Sequence, residues 1–293
     1  MQNIKFLYII LLSVLFVNMG CKGKDKGEIG VTKSKLIEVF KTSNPDYPNI
    51  SVHRGGKNIK GYPENCLETI KYVNDSIKAI FEVDVTQTKD GQLILLHDNS
   101  LDRTTNGSGL VKNTDYAQLK DYKLIDDFGN QTAYAIPLFE EVLRWSKENN
   151  VILTIDIKRS VSQETVINAI KKARAEDNCI IITYDIAQAQ SAYRLAPELL
   201  LSVSARNHEE LDRLLKTKIP PENMLAFTGT RLSNPSLYKR LHDEHILCIL
   251  GTLGNLDKQA AARGHEMYKR WKNLGADILA TDRPFEAYNA INQ

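Results

Sequence analysis

The chain has 293 residues, 42% of them hydrophobic and 25% charged, a composition that can bury a core and excludes a disordered tail, a collagen-like fibre or a coiled coil. Thirty-eight basic against 36 acidic residues leave a formal charge of +2. That is too near balance for a surface that tracks a phosphate backbone, so no nucleic-acid partner is expected.

Lys5 precedes an uncharged apolar run over residues 6–17, too short to cross a bilayer, which needs ~20 residues. A basic start, a short apolar stretch and a small residue read as an export signal over residues 1–20. Cys21 at the end of that run resembles the lipid-acceptor cysteine of bacterial lipoproteins, although Asn18 and Met19 depart from the usual preceding residues. The expectation is a signal peptide (1–20), a lipidated tether and lead-in (21–48) and a folded domain (49–293), exported and held through Cys21 to the envelope membrane, facing the periplasm. A plain secretory signal with Cys21 incidental is the alternative. The other cysteines, Cys66, Cys179 and Cys248, are odd in number and form no disulfide framework. Cys179 and Cys248 adjoin apolar runs, as buried thiols do.

From residue 50 onward short apolar runs alternate with helical patterns. Strands are predicted at 50–52, 79–85, 151–157, 180–183, 199–203, 224–227, 246–250 and 277–280, with helices at 64–74, 139–149, 165–175, 186–195, 209–215, 236–244, 259–273 and 284–291. Such alternation implies a parallel sheet with right-handed crossovers, and eight strands close a single (β/α)8 TIM barrel of the α/β class, whose usual size is roughly 250 residues. An open doubly wound sheet is the alternative, but no GxGxxG follows the first strand. One stretch breaks the alternation. Residues 79–86 and 93–97 are joined by six residues containing Asp90-Gly91, a hairpin signal, and so short a connection cannot be a parallel crossover. The second run therefore pairs antiparallel with the second barrel strand, and residues 87–136 form a β-hairpin plus loop insertion.

Glu82 and Asp84 stand two apart on a strand, so their side chains leave the same face. Two adjacent carboxylates in a closed site call for a hard cation with oxygen ligands; on an open strand end they would simply face water. A turn centred near Asp90-Gly91 sets His97 opposite Val83, flanked by both acids. Asp156 and Lys158 repeat the same-face spacing on a later strand, where Ile155 and Ile157 face the helices. His53-Arg54-Gly55-Gly56 ends the first strand, its glycines permitting close approach of backbone to a ligand. In a barrel the strand ends converge on one mouth. Carboxylates for a metal, cations for a phosphate and two imidazoles for proton transfer are what metal-assisted phosphodiester cleavage requires.

With these residues assembled, the chain resembles the glycerophosphodiester phosphodiesterase family over about residues 50–286. The matching motifs are His53-Arg54-Gly55, Pro63-Glu64-Asn65, Glu82-Val83-Asp84-Val85, Thr88-Lys89-Asp90-Gly91 leading to His97-Asp98, Leu101 through Gly107, Ile136-Pro137-Leu138, Asp156-Ile157-Lys158 and Thr281-Asp282-Arg283-Pro284. The resemblance implies a barrel like that of phospholipase C-type enzymes and hydrolysis of glycerophosphodiesters to an alcohol and glycerol phosphate with one divalent cation, Ca²⁺ or Mg²⁺. It implies His53 and His97 as the acid/base pair and Glu82, Asp84 and Asp156 as metal ligands. Arg54 and Lys158 would hold the phosphoryl oxygens, with Glu64 and Asn65 supporting the mouth from the first helix. Pro63-Glu64-Asn65 also reads as that helix's start, and Asp102-Arg103-Thr104-Thr105 as a network that folds the insertion. Two departures stand out: Asp156 occupies a position where the family usually has Glu, and residues 249–255 lack the aromatic of the family's Trp-Thr-Val-Asn motif. Alternative activities are a lysophospholipase D-like or cell-wall phosphodiester hydrolase, or a lipid-anchored binding protein without turnover.

Overall fold

The computed structural model describes residues 32–292; the expected signal peptide and Cys21 lie outside the described residues. Numbered in chain order, the strands are β1 (Ile50–Val52), β2 (Ile80–Gln87), β3 (Leu93–Leu95), β4 (Lys123–Ile125), β5 (Gln131–Ala135), β6 (Ile152–Ile157), β7 (Cys179–Thr183), β8 (Leu200–Ser204), β9 (Met224–Phe227), β10 (Leu247–Gly251) and β11 (Ile278–Thr281). Eight of them, β1, β2 and β6 through β11, pair in parallel and close through β1 with β2 and with β11. The barrel is therefore closed, with helices outside it.

Alternation along each strand sorts the side chains. Phe81, Val83 and Val85 of β2 point outward into the large core shared with the helices, whereas Ile80, Glu82 and Asp84 point inward. The inward series grades from apolar to polar along β2 and again along β6, where Ile152 is followed by Thr154 and Asp156. At the base, Ile80, Ile180, Leu200, Leu225 and Ile278 pack with Leu36, Ile37 and Phe40 from and just after the short helix Leu36–Val39. Residues 36–40 thus close the floor of the barrel, each apolar side chain adding about 1.5–3 kcal/mol of transfer free energy. The polar mouth is left at the other end.

Several helices start where a side chain caps them. Ser162, Asp185, Asn207 and Asn234 accept backbone N–H bonds from the first turns of Gln163–Ala173, Ile186–Leu195, His208–Leu215 and Pro235–Asp243. Two predicted helices differ from expectation. Residues 259–273 form two helices, Asn255–Arg263 and Glu266–Asn273, because Gly264 adopts φ +109° between them. The first helix after β1 begins only at Leu67, for a reason that lies in the site.

The hairpin has the predicted register: Val85, Thr86 and Gln87 oppose Leu95, Ile94 and Leu93. Continuing that pairing sets His97 level with Val83, although β3 itself ends at Leu95. Between β3 and the helix Phe139–Glu148, β4 and β5 form a two-stranded antiparallel sheet. Leu101, Val111, Leu119, Leu124 and Ile136 pack there with Ile94, Leu96 and Cys66 in a small core of their own. Cys66, Cys179 and Cys248 are free, and Cys66 is buried along with the two thiols expected to be, Cys179 and Cys248.

Candidate active site

The β2–β6 pairing aligns Asp84 with Asp156. Oxygen atoms of Glu82, Asp84 and Asp156 lie within 4.8 Å of one another, close enough to share one cation. Burial, followed by repulsion from Asp84 and Asp156, drives the Glu82 carboxyl well above the usual carboxylate range. Burial would raise Asp84 as well, but Lys158, with the Asn65 amide and His97, outweighs it and holds Asp84 low. Lys158 Nζ lies 2.6 Å from Asp84 Oδ1 and 2.9 Å from Asp156 Oδ2. Tyr184 Oη donates to the other Asp156 oxygen at 2.8 Å.

The loop after β1 is strained in a way that serves these acids. Arg54 has φ +55° and donates its backbone N–H to Glu82 Oε2 at 2.7 Å. Asn65 has φ +52°; its side chain accepts from the Asp84 N–H at 2.9 Å and donates to Asp84 Oδ2 at 2.7 Å. Asn65 therefore braces Asp84 instead of capping a helix, which is why the helix waits for Leu67, and Glu64 lies in the loop, not on that helix. Gly55 and Gly56 also act differently from expectation. A Cβ at Gly55 would fall 2.8 Å from Ile70, and one at Gly56 2.6 Å from Thr69, so these glycines seat the loop against its own helix rather than against a ligand.

Each histidine is held by a carboxylate. His53 Nδ1 lies 2.6 Å from Asp282 Oδ1, and His97 Nδ1 lies 2.7 Å from Asp98 Oδ1. This contact directs the Nδ1 proton to the carboxylate and leaves Nε2 free on each ring. Arg103 binds the other Asp98 oxygen at 2.6 Å and reaches Glu64 at 2.7 Å; the Arg103 hydrogen bond is the largest cause holding Asp98 below the usual carboxylate range. Glu64 is buried, and Arg54 Nη1 binds it at 2.9 Å. A continuous chain of charged hydrogen bonds thus links His97 to the loop that carries His53.

A cavity of about 270 Å³ opens among these groups, bordered by His53, His97, Glu82, Asp84, Asp156 and Lys158. Six of the nine residues expected at the mouth therefore share one space. Arg54, Glu64 and Asn65 stand behind the acids: Arg54 Nε comes no nearer to Asp84 than 3.9 Å and has no hydrogen-bond partner. Residues 249–255 bring no aromatic to the cavity, but Phe227 at the end of β9 lines it, its ring 3.1 Å from where a Gly251 Cβ would be. Tyr184, Asp282 and Asp98 were not expected as site residues. Tyr184 and Asp282 each follow a barrel strand by one residue, the position at which His53 and Lys158 also stand, and that placement was the available signal.

The sequence profile of the glycerophosphoryl diester phosphodiesterase family matches residues 53–284. Protein YqiK of Bacillus subtilis (strain 168) is 32% identical over 247 residues, covering 81% of this chain and 96% of that protein. A glycerophosphodiester phosphodiesterase of Bacillus altitudinis is 29% identical over the same shares of each chain. The crystal structure of a glycerophosphoryl diester phosphodiesterase from Parabacteroides distasonis is similar with a TM-score of 0.80 and 31% identity, covering 89% of this chain and 93% of that one.

Proposed function

Because the chain belongs to the glycerophosphoryl diester phosphodiesterase family, and is thereby a phosphoric diester hydrolase, we propose that it cleaves glycerophosphodiesters to an alcohol and glycerol 3-phosphate by two-histidine acid/base catalysis assisted by one divalent cation. The observation that carries this reading is that His53 and His97, each backed by a carboxylate, border the same cavity as three converging acids.

The donor set fits a hard cation: three carboxylates converge, and their mutual repulsion is what such an ion relieves. Glu82, Asp84 and Asp156 would hold it, Mg²⁺ or Ca²⁺, and when bound it would neutralise charge on the phosphoryl oxygens. Lys158 adds positive charge beside the same acids, and Arg54 adds it from behind them. His97 borders both the catalytic cavity and the larger groove beyond it, whereas His53 borders only the catalytic cavity. The fixed glycerol phosphate suits the cavity that holds both imidazoles and the three acids, and the variable alcohol the larger groove beyond His97. His97 is then placed to protonate the leaving alkoxide from Nε2, and His53 to take the proton of the nucleophile. The nucleophile is the glycerol 2-hydroxyl or a water molecule.

Export and lipidation at Cys21 complete the proposal, supported by the apolar run over residues 6–17 and the cysteine that ends it. This would hold the enzyme at the envelope membrane, facing the periplasm. Labelled palmitate entering the wild-type chain but not Cys21→Ser is the expected result. The activity itself is tested by following glycerol 3-phosphate release from glycerophosphodiesters with Mg²⁺, with Ca²⁺ and with a chelator. Release that requires a divalent ion is expected; no release with either ion would overturn the assignment.

A further inference from the structure

The space around His97 continues beyond the catalytic cavity. His97, Asp156, Lys158 and Tyr184 also border a second cavity of about 660 Å³, which in turn shares Asn99 and Arg159 with a third of about 330 Å³. A groove therefore runs from the imidazole outward past Arg159.

Its charge changes along the way. In the second cavity both acids are engaged: Asp156 by Lys158 and Tyr184, and Asp185 by capping the Gln188 N–H. In the third the wall holds no carboxylate; the exposed Arg159 and Lys112 line it together with Thr86, Gln87, Asn99 and Ser160 and the apolar Leu110 and Val111. Lys158 is neutralised by two acids, but among the described residues neither Arg159 nor Lys112 forms an ion pair. Two exposed cations without carboxylate partners, beside neutral hydrogen-bonding side chains at the end of the groove, suit a compact anion with several acceptor oxygens.

We propose that this outer groove is a subsite for a leaving alcohol that itself carries a phosphate, so that the preferred substrates are diesters of glycerol phosphate with a phosphorylated alcohol. The proposal rests on the phosphodiesterase reading, in which the variable alcohol departs on the His97 side. The second phosphate would lie against Arg159 and Lys112.

The test separates binding from turnover. With a chelator present, calorimetry at low ionic strength compares glycerophosphoglycerol with the same diester bearing a terminal phosphate monoester. The phosphorylated diester is expected to bind about tenfold tighter, as charge-assisted hydrogen bonds from two cations would give. The preference should shrink as salt is added. The double variant Lys112→Gln/Arg159→Gln should bring the affinity ratio close to one, and Arg159→Glu should reverse it. Equal affinities in the wild-type enzyme, or a ratio that survives the double variant, would overturn the subsite. Glycerol 3-phosphate release from plain glycerophosphoglycerol with divalent ion restored tests the parent reading by itself. Its failure beside an intact binding preference would remove the activity and leave the anion subsite standing.

Discussion

Tyr184 Oη donates to Asp156 Oδ1 across 2.8 Å while Lys158 Nζ holds the opposite oxygen at 2.9 Å. The shorter acid at this position is thus fixed from both sides, although the Tyr184 residue is 57% exposed. Tyr184→Phe keeps the ring and removes the bond. The expected result is a fall of about tenfold in kcat/KM and weaker divalent-ion binding by calorimetry, with little change in thermal stability. Unchanged ion affinity would show that Asp156 needs no such brace.

His97→Ala should lower kcat by ~10²-fold or more while divalent-ion affinity stays near wild type. Asp98→Asn leaves the ring in place but removes the carboxylate that sets its tautomer, so a smaller loss in kcat is expected. Near-normal turnover in His97→Ala would refute its role as the acid.

Asn65 makes two hydrogen bonds to buried Asp84 from a left-handed backbone. Asn65→Ala strands the Asp84 N–H and places a Cβ-bearing residue without compensation at φ +52°. A loss of roughly 2–4 kcal/mol in urea unfolding is expected. Asn65→Gly, which tolerates the backbone, should lose less.

At Gly251 a Cβ would meet Thr230 Cγ2 at 3.0 Å, Phe227 Cζ at 3.1 Å and the Gly229 carbonyl at 3.2 Å. Gly251→Ala should therefore push Phe227 into the cavity, costing about 1–3 kcal/mol and raising KM more than it lowers kcat. Steady-state kinetics on a small glycerophosphodiester would show whether that wall touches the substrate.

On the opposite side of the molecule, His242 Nε2 lies 2.8 Å from Asp277 Oδ2. That hydrogen bond, opposed by burial, raises the imidazole above its ordinary value of 6.5. A raised folded-state value means stability that is fully present below 6.5 and lost as pH rises through the higher folded-state value. Thermal melts from pH 6 upward should show a decline that His242→Gln lacks, worth no more than about 1 kcal/mol because the ring is partly exposed.

The amino-acid order alone was enough for the strand-and-helix alternation, the closed eight-strand barrel and the side of each strand that carries acids. These are local periodicities, and a two-residue repeat puts Glu82 and Asp84 on one face in any strand. The position of His97 was equally legible, because a tight hairpin ties its register to residues fewer than twenty away. Local signals also misled where a partner on another element decided the outcome: Asn65 carries a capping side chain, but Asp84 on β2 claims it. Barrel closure decided that Asp282 backs His53 across 229 residues of chain, the pairing of β6 with β7 that Tyr184 reaches Asp156, and the docking of the insertion on the loop after β1 that Arg103 joins Asp98 to Glu64. No periodicity encodes such pairs, since they arise where the ends of separate strands and loops meet. Only there does desolvation make an unpartnered charge costly enough to select its neighbour.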